Sequence, residues 1–474
     1  MKKFFLTDKN LINILAFLFG LTCTFCAFKF SLKGIYFYPS DFFYYSLIFF
    51  LTFFVLFRGR IKTPPPKKEN ILYSLLIFFF LIIVFSVFIP ILDNASFEWV
   101  FVSLKASFKF IILTYFLVLL FLISDNLKLK FFSNFFKGFF ISIIIHVIFS
   151  ITQLITWYSF KIDLNKFIFL DMLGAESART HFIIFPILRT SGLHWDPAYL
   201  GIWILIGTAW IWFFWKDNWI KKAILSLFGL IFIMTFSRTG VLALIMVLFL
   251  IFSSYLIRTL YKMEIKVKIN KSIKVLSNII LIICIALGMS FYFIKGDDIY
   301  KIVQERTDLE IVGSQRHINY FNQGARAISS SIPRLLFGFG YRNGGRGLLE
   351  TPGAVNFLPG IQNIKIPWSP ESDFVNNYLE LGLFGFVFYF LIFIFGTLCL
   401  KKINLEALKA LKNKTLNHSN HTALKNKVFF FLACYGFLFF AGFGYAFKDG
   451  IWYWLLIISS TSVSLELKNK LLNI

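Results

Sequence analysis

The feature that most constrains this chain is a series of long apolar runs separated by short polar stretches. Crossing a bilayer core takes ~20 apolar residues as a helix, because every backbone N–H and C=O must then be bonded within the segment. Such runs fall near 10–28, 38–57, 71–92, 107–124, 138–158, 198–215, 220–236, 239–257, 275–294, 373–400, 428–446 and 451–466. They predict an all-α polytopic membrane protein of about twelve spans. Residues 1–294 would hold helices one to nine, 295–372 a large external loop, and 373–474 the last three helices. Only 15% of the residues are charged, against ~25% in a soluble domain. Soluble, fibrous and disordered classes are excluded. Met1-Lys2-Lys3 leads into an apolar segment with no small-residue cleavage site, so the first helix is expected to stay in place.

The formal charge of +24 could suggest nucleic acid, but its distribution does not. With a cytoplasmic N-terminus, every short basic loop falls inside, as the positive-inside rule requires. The inside segments then hold 26 Lys and 3 Arg, the outside segments 10 Lys and 9 Arg. Lys is the default base of this chain. Arg concentrates on the outer side, where its planar fork can grip phosphate through two parallel bonds; Lys acts only as a point charge. The outer arginines read as a site for an anionic, pyrophosphate-bearing substrate, with snorkelling at helix ends as the alternative. The five cysteines (Cys23, Cys26, Cys284, Cys399 and Cys434) lie in apolar segments, and neither a disulfide nor a metal is expected.

Three outer segments carry chemistry. The first runs from Arg189 to Pro197 (RTSGLHWDP). Asp196 and Pro197 suit the cap and first position of the next helix, while His194 is either an acid/base group or structural. The second is Ser237-Arg238-Thr239-Gly240, a tight turn between apolar runs. An Arg held so close to the bilayer is costly unless it is paired, faces a wet cavity or binds lipid phosphate.

The third is the 295–372 loop. Residues 314–332 read as an amphipathic helix capped by Ser314 and ended by Pro333, with Arg316 and Arg326 largely off its apolar stripe. A mobile basic loop follows, from Phe337 to Gly347, with five glycines around Arg342 and Arg346. The loop closes on Glu371-Ser372-Asp373, at the start of a helix. Acids there either favour the helix dipole or place a general base at the membrane surface.

Four stretches, in this order, resemble the O-antigen polymerase/ligase superfamily of integral membrane glycosyltransferases, the Wzy and WaaL type. They are Arg189 to Gly201, Ser237 to Gly240, Ser314 to Gly340, and Glu371 to Gly385. The resemblance covers roughly 190–390. It implies a GT-C-like bundle with a large helical periplasmic loop in the bacterial inner membrane, and needs no cofactor or metal. Its substrate would be an undecaprenyl-pyrophosphate-linked oligosaccharide, with a chain-length regulator protein as a candidate partner. Glu371 stands where the ligase branch has histidine, and that departure resembles the polymerase branch. The resemblance implies catalysis by Glu371, with Asp373 and His194 as further candidates. It implies substrate binding by Arg189, Arg238, Arg316, Arg326 and Arg342. The alternatives are a ligase that moves glycan to lipid A-core, and a flippase or other transporter. A transporter would show midplane charges and two related halves, neither of which the sequence displays clearly.

Overall fold

The computed structural model describes residues 2–25, 30–32, 35–58, 70–172, 183–184, 187–194, 196–261, 325–349, 372–413, 415–444 and 450–472. The helix expected at 275–294 and most of the 295–372 loop lie outside them. The described chain is helical apart from two short antiparallel hairpins, at Phe30–Phe37 and Ile183–Leu188. In chain order the α-helices are α1 (Lys2–Thr22), α2 (Pro39–Arg58), α3 (Asn70–Phe85), α4 (Phe88–Leu92) and α5 (Phe97–Leu122). Next come α6 (Asp125–Phe160), α7 (Pro197–Phe214), α8 (Trp219–Met234), α9 (Arg238–Tyr261) and α10 (Ile332–Phe337). The last are α11 (Gly344–Leu349), α12 (Asp373–Lys412), α13 (His418–Gly444), α14 (Ile451–Ser459) and α15 (Thr461–Leu472).

Seven described stretches are long and apolar enough to cross a membrane: Pro39–Phe57, Ile71–Leu92, Phe97–Leu122, Asp125–Phe160, Pro197–Phe214, Asp373–Lys412 and His418–Gly442. The protein is therefore helical and membrane-embedded. One aromatic-rich core joins the helices; Phe80, for example, meets Trp454 edge-on at 5.1 Å and Phe110 at 5.4 Å. Large apolar side chains such as Phe42, Phe49, Leu56, Phe97 and Phe101 point outward. An apolar exterior of that kind suits lipid, not water.

Several boundaries differ from the sequence reading, each for a local reason. The 71–92 run breaks at Ser86–Val87, where the Ser86 hydroxyl bonds back to the Ile83 carbonyl and Pro90 offers no N–H. The 451–466 run breaks at Ser460. There Ser459, Ser460 and Thr461 donate in turn to the carbonyls of Leu456, Ile457 and Ile458, at 2.7–2.8 Å. Pro333 does not end a helix. Ser331 caps α10 and Pro333 sits in its first turn, where its missing N–H costs nothing.

The described connecting segments gather at two ends. At one end Lys468 pairs with Asp125, Lys427 with Glu466, and Asn426 donates to the Phe213 carbonyl. At the other, the 190s turn, the 235–237 turn, Asp93 and the 338–346 segment come together with the start of α12. At 1.5 Å per residue the leg of α12 after Gly382, residues 383–412, spans about 45 Å, longer than the ~30 Å apolar core. Part of that leg must therefore stand outside the hydrocarbon.

Candidate functional site

The 189–194 turn is buried and held by polar residues of α6. Gln153 pairs with both backbone groups of Gly192, accepting from its N–H at 3.2 Å and donating to its C=O at 3.4 Å. The Leu193 N–H donates to Nδ1 of His146 at 3.0 Å. That leaves the His146 proton on Nε2, which lies 3.1 Å from the Thr24 hydroxyl. Thr24 in turn bonds the Ser142 hydroxyl. Asn165 donates to the Ser191 hydroxyl at 2.8 Å. These contacts make the turn a fixed part of the bundle.

His194 is 1% exposed, stacked on Tyr199 at 4.4 Å and edge-on to Trp203 at 5.1 Å. Burial, and secondly the neighbouring His146, hold it well below the usual histidine range. Its Nδ1 accepts the Asp196 N–H at 2.9 Å, so the ring is neutral with its proton on Nε2. In this state His194 can donate a hydrogen bond but has no lone pair open to take a proton. Asp196 caps α7 through the Ala198 N–H at 2.8 Å, with Pro197 at the first turn, as the sequence indicated.

Arg189 faces the end of α8. Its Nε donates to the Thr235 carbonyl at 3.0 Å and a terminal nitrogen to the Phe236 carbonyl at 3.3 Å, while the Thr190 N–H donates to the Met234 carbonyl. A cation at a helix C-terminus is favoured by the dipole. Phe236 has φ 45, an unusual conformation for a bulky residue, and Arg189 helps to hold it. Ser237 then caps α9 by accepting the Gly240 N–H at 3.0 Å. Arg238 is the first residue of that helix. The first two expected segments thus form one unit.

The third and fourth segments form another. Within α12 the helix breaks at Gly382, φ 63 and ψ −160, a conformation that only glycine adopts readily. The Phe339 and Gly340 N–H groups donate to the carbonyls of Leu379 and Glu380, each at 2.9 Å. A β-carbon on Gly382 would lie 2.5 Å from the Leu336 carbonyl carbon, and one on Gly338 would lie 2.5 Å from that of Glu380. Two glycines 44 positions apart therefore let two backbones touch. The segment expected to be a mobile loop is docked: Phe339, Tyr341, Asn343 and Arg346 are all buried. Arg346 and Arg334 share Asp93, at 2.5 and 3.3 Å, and both lie over the Phe339 ring. The Tyr341 N–H donates to Ser86 at 3.0 Å.

The first leg of α12 turns a polar face inward. Asp373, Asn376, Asn377 and Glu380 are each at most 2% exposed, and at 100° per residue they share an arc of about 100°. The Tyr389 hydroxyl is 2.6 Å from the Tyr453 hydroxyl. Ser372 caps the leg and donates to the Gly442 carbonyl at 3.1 Å. The two units are bridged by α14, since Trp452 lies 5.8 Å from Trp203 and adjoins Tyr453.

Of the expected site residues, Arg189, His194 and Asp373 are thus brought to one end of the bundle. Arg326 is exposed on a helical turn at 325–328, and Arg342 is half-buried with φ 64. Glu371 and Arg316 lie outside the described residues, as does the Arg238 side chain. Sequence reasoning missed His146, Gln153, Asp93, Asn343, Asn376 and Glu380. Among the described residues no group of three or more His, Cys, Asp or Glu side chains could hold a metal ion. No protein-family model matches the chain, and no curated protein matches it significantly.

Proposed function

We propose that the protein is a surface-polysaccharide polymerase of about twelve spans in a bacterial inner membrane, acting at the periplasmic face on undecaprenyl-pyrophosphate-linked repeat units. The acceptor hydroxyl oxygen attacks the anomeric carbon of the donor sugar. The bond from that carbon to the pyrophosphate oxygen breaks, and undecaprenyl pyrophosphate leaves with the electron pair. Glu371 takes the hydroxyl proton, with Asp373 as the second candidate. Arg189, Arg238 and Arg316 hold the pyrophosphate and stabilise the charge that builds on it. The glycosyl phosphate bond supplies the driving force, so no nucleotide is required.

One observation carries the reading. The described parts of the four stretches that resemble the superfamily associate in pairs at the same end of the bundle, Arg189 on the 235–237 turn and 338–340 on the break at Gly382. The geometry of His194 favours Glu371 over His194 as base, since the His194 lone pair is bonded to the Asp196 N–H.

The test is the gel pattern of surface polysaccharide from a deletion strain. A single repeat capping the core is the expected result. Naked core with accumulated lipid-linked polymer would make the protein a ligase, and loss of all periplasmic repeat units would make it a flippase.

A further inference from the structure

We infer that Asn343, Asn376 and Glu380 form a binding site for saccharide hydroxyl groups, the acceptor subsite of the proposed polymerase. The acceptor role rests on the polymerase reading; the sugar-binding chemistry does not. Asn343 is 0% exposed, and neither its amide oxygen nor its amide nitrogen has a hydrogen-bond partner among the described residues. Asn376 is 2% exposed, and its amide oxygen is likewise without one. A buried polar group left without a partner is costly, so native structures keep few of them and those few call for an explanation.

The groups are joined through Gly340. Its N–H donates to the Glu380 carbonyl at 2.9 Å and its C=O accepts the Asn343 N–H at 3.0 Å. A β-carbon built on it would lie 3.3 Å from the Asn343 amide nitrogen. Asn376 and Glu380 are four residues apart on the inward face of the α12 leg, so they are neighbours. The docked glycine segment thus sets Asn343 against the backbone of Glu380, one helical turn from Asn376, and all three are buried.

The donor set selects the ligand class. An amide offers two donors and an acceptor, which match a hydroxyl that both donates and accepts. A carboxylate accepts from hydroxyls and repels phosphate, which the Glu380 and Asp373 pair therefore disfavours. Arg346, 4% exposed, is tied to this segment by its backbone N–H, which donates to the Asn343 carbonyl, and its guanidinium charge disfavours a metal cation. An apolar lipid tail would leave the amides unsatisfied. A neutral, hydroxyl-rich ligand remains.

The test uses the purified full chain in detergent. The probe is the repeat-unit oligosaccharide released by mild acid from the source strain's own surface polysaccharide, free of lipid and pyrophosphate. Binding is read by calorimetry, and the melting temperature of the unliganded protein is recorded alongside. Asn343→Leu keeps the volume and removes the amide. The expected result is an affinity about tenfold weaker, the worth of two hydrogen bonds, with an unchanged or raised melting temperature. Should that variant fail to fold, Asn376→Leu carries the same expectation. An oligosaccharide that does not bind the parent protein, or binds the variants as tightly as the parent, overturns the proposal. Because no bond is made and no pyrophosphate is present, this outcome is independent of the deletion-strain gel.

Discussion

Replacing Gly382 by alanine should release the 338–340 segment without dismantling the bundle. Alanine at φ 63, ψ −160 costs about 1–3 kcal/mol in backbone strain. Its β-carbon would also meet backbone atoms of Leu336 and Gly338 at 2.5–2.6 Å, where no side chain can swing aside. The variant's easier course is to undock, which forfeits the two bonds to Leu379 and Glu380, about 1–3 kcal/mol together. A shift of about 2 kcal/mol raises the open population by about 30-fold. Hydrogen exchange read by mass spectrometry on peptides covering Phe339 and Gly340 reports that population. The expected outcome is exchange faster by about that factor, with peptides of α6 and α7 unchanged. Leu383→Ala, at a neighbouring exposed position, should exchange like the parent. Parent-like exchange in Gly382→Ala would refute the backbone docking as the tie between the two segments.

Three further outcomes are expected. Arg238→Lys should reduce polymer formation nearly as much as Arg238→Ala, by about 10²-fold, because an ammonium cannot form two parallel bonds to phosphate; near-normal polymer from the Lys variant would remove the pyrophosphate role. Glu371→Gln keeps size and an acceptor oxygen but cannot take a proton, so it should insert normally and slow the reaction by about 10²–10⁴-fold; full-length polymer would remove Glu371 as the base. His194 is held below its unfolded value of 6.5 by burial, so the unfolded chain takes up the proton first as pH falls. The stability it contributes is complete above that pH and declines below it by up to about 1.4 kcal/mol per unit. Melting curves between neutral pH and pH 5 should therefore fall less steeply for His194→Gln than for the parent, and parallel curves would show that His194 titrates normally.

How much of this was legible in the sequence depended on the range of the cause. The cap at Asp196-Pro197 is local, and two residue types suffice to read it. The apolar runs marked the helices but not their ends: a charged helix start such as Asp125–Lys137 has no apolar signature, so α6 begins before the apolar run expected at 138. The need for glycine at 382 could not be read locally, because it arises from Gly338, far away in the chain. The docking of Phe337–Gly347 was misread as mobility for the same reason, since glycine content reports freedom and not what the backbone touches. Two signals were present and passed over. His146 and Gln153 interrupt an apolar helix, where a polar residue must have a partner. Asp373, Asn376 and Glu380 recur at i, i+3 and i+7, one face of a helix.

The central claim is bond formation with release of undecaprenyl pyrophosphate, and reconstitution measures it most directly. The purified chain in proteoliposomes would be given undecaprenyl-pyrophosphate-linked repeat units as the sole substrate. The expected result is a ladder of lipid-linked polymers, with one undecaprenyl pyrophosphate released for each linkage made and the ladder lost in Glu371→Gln. Repeat units that cross the bilayer intact, with no linkage formed and no undecaprenyl pyrophosphate released, would contradict it.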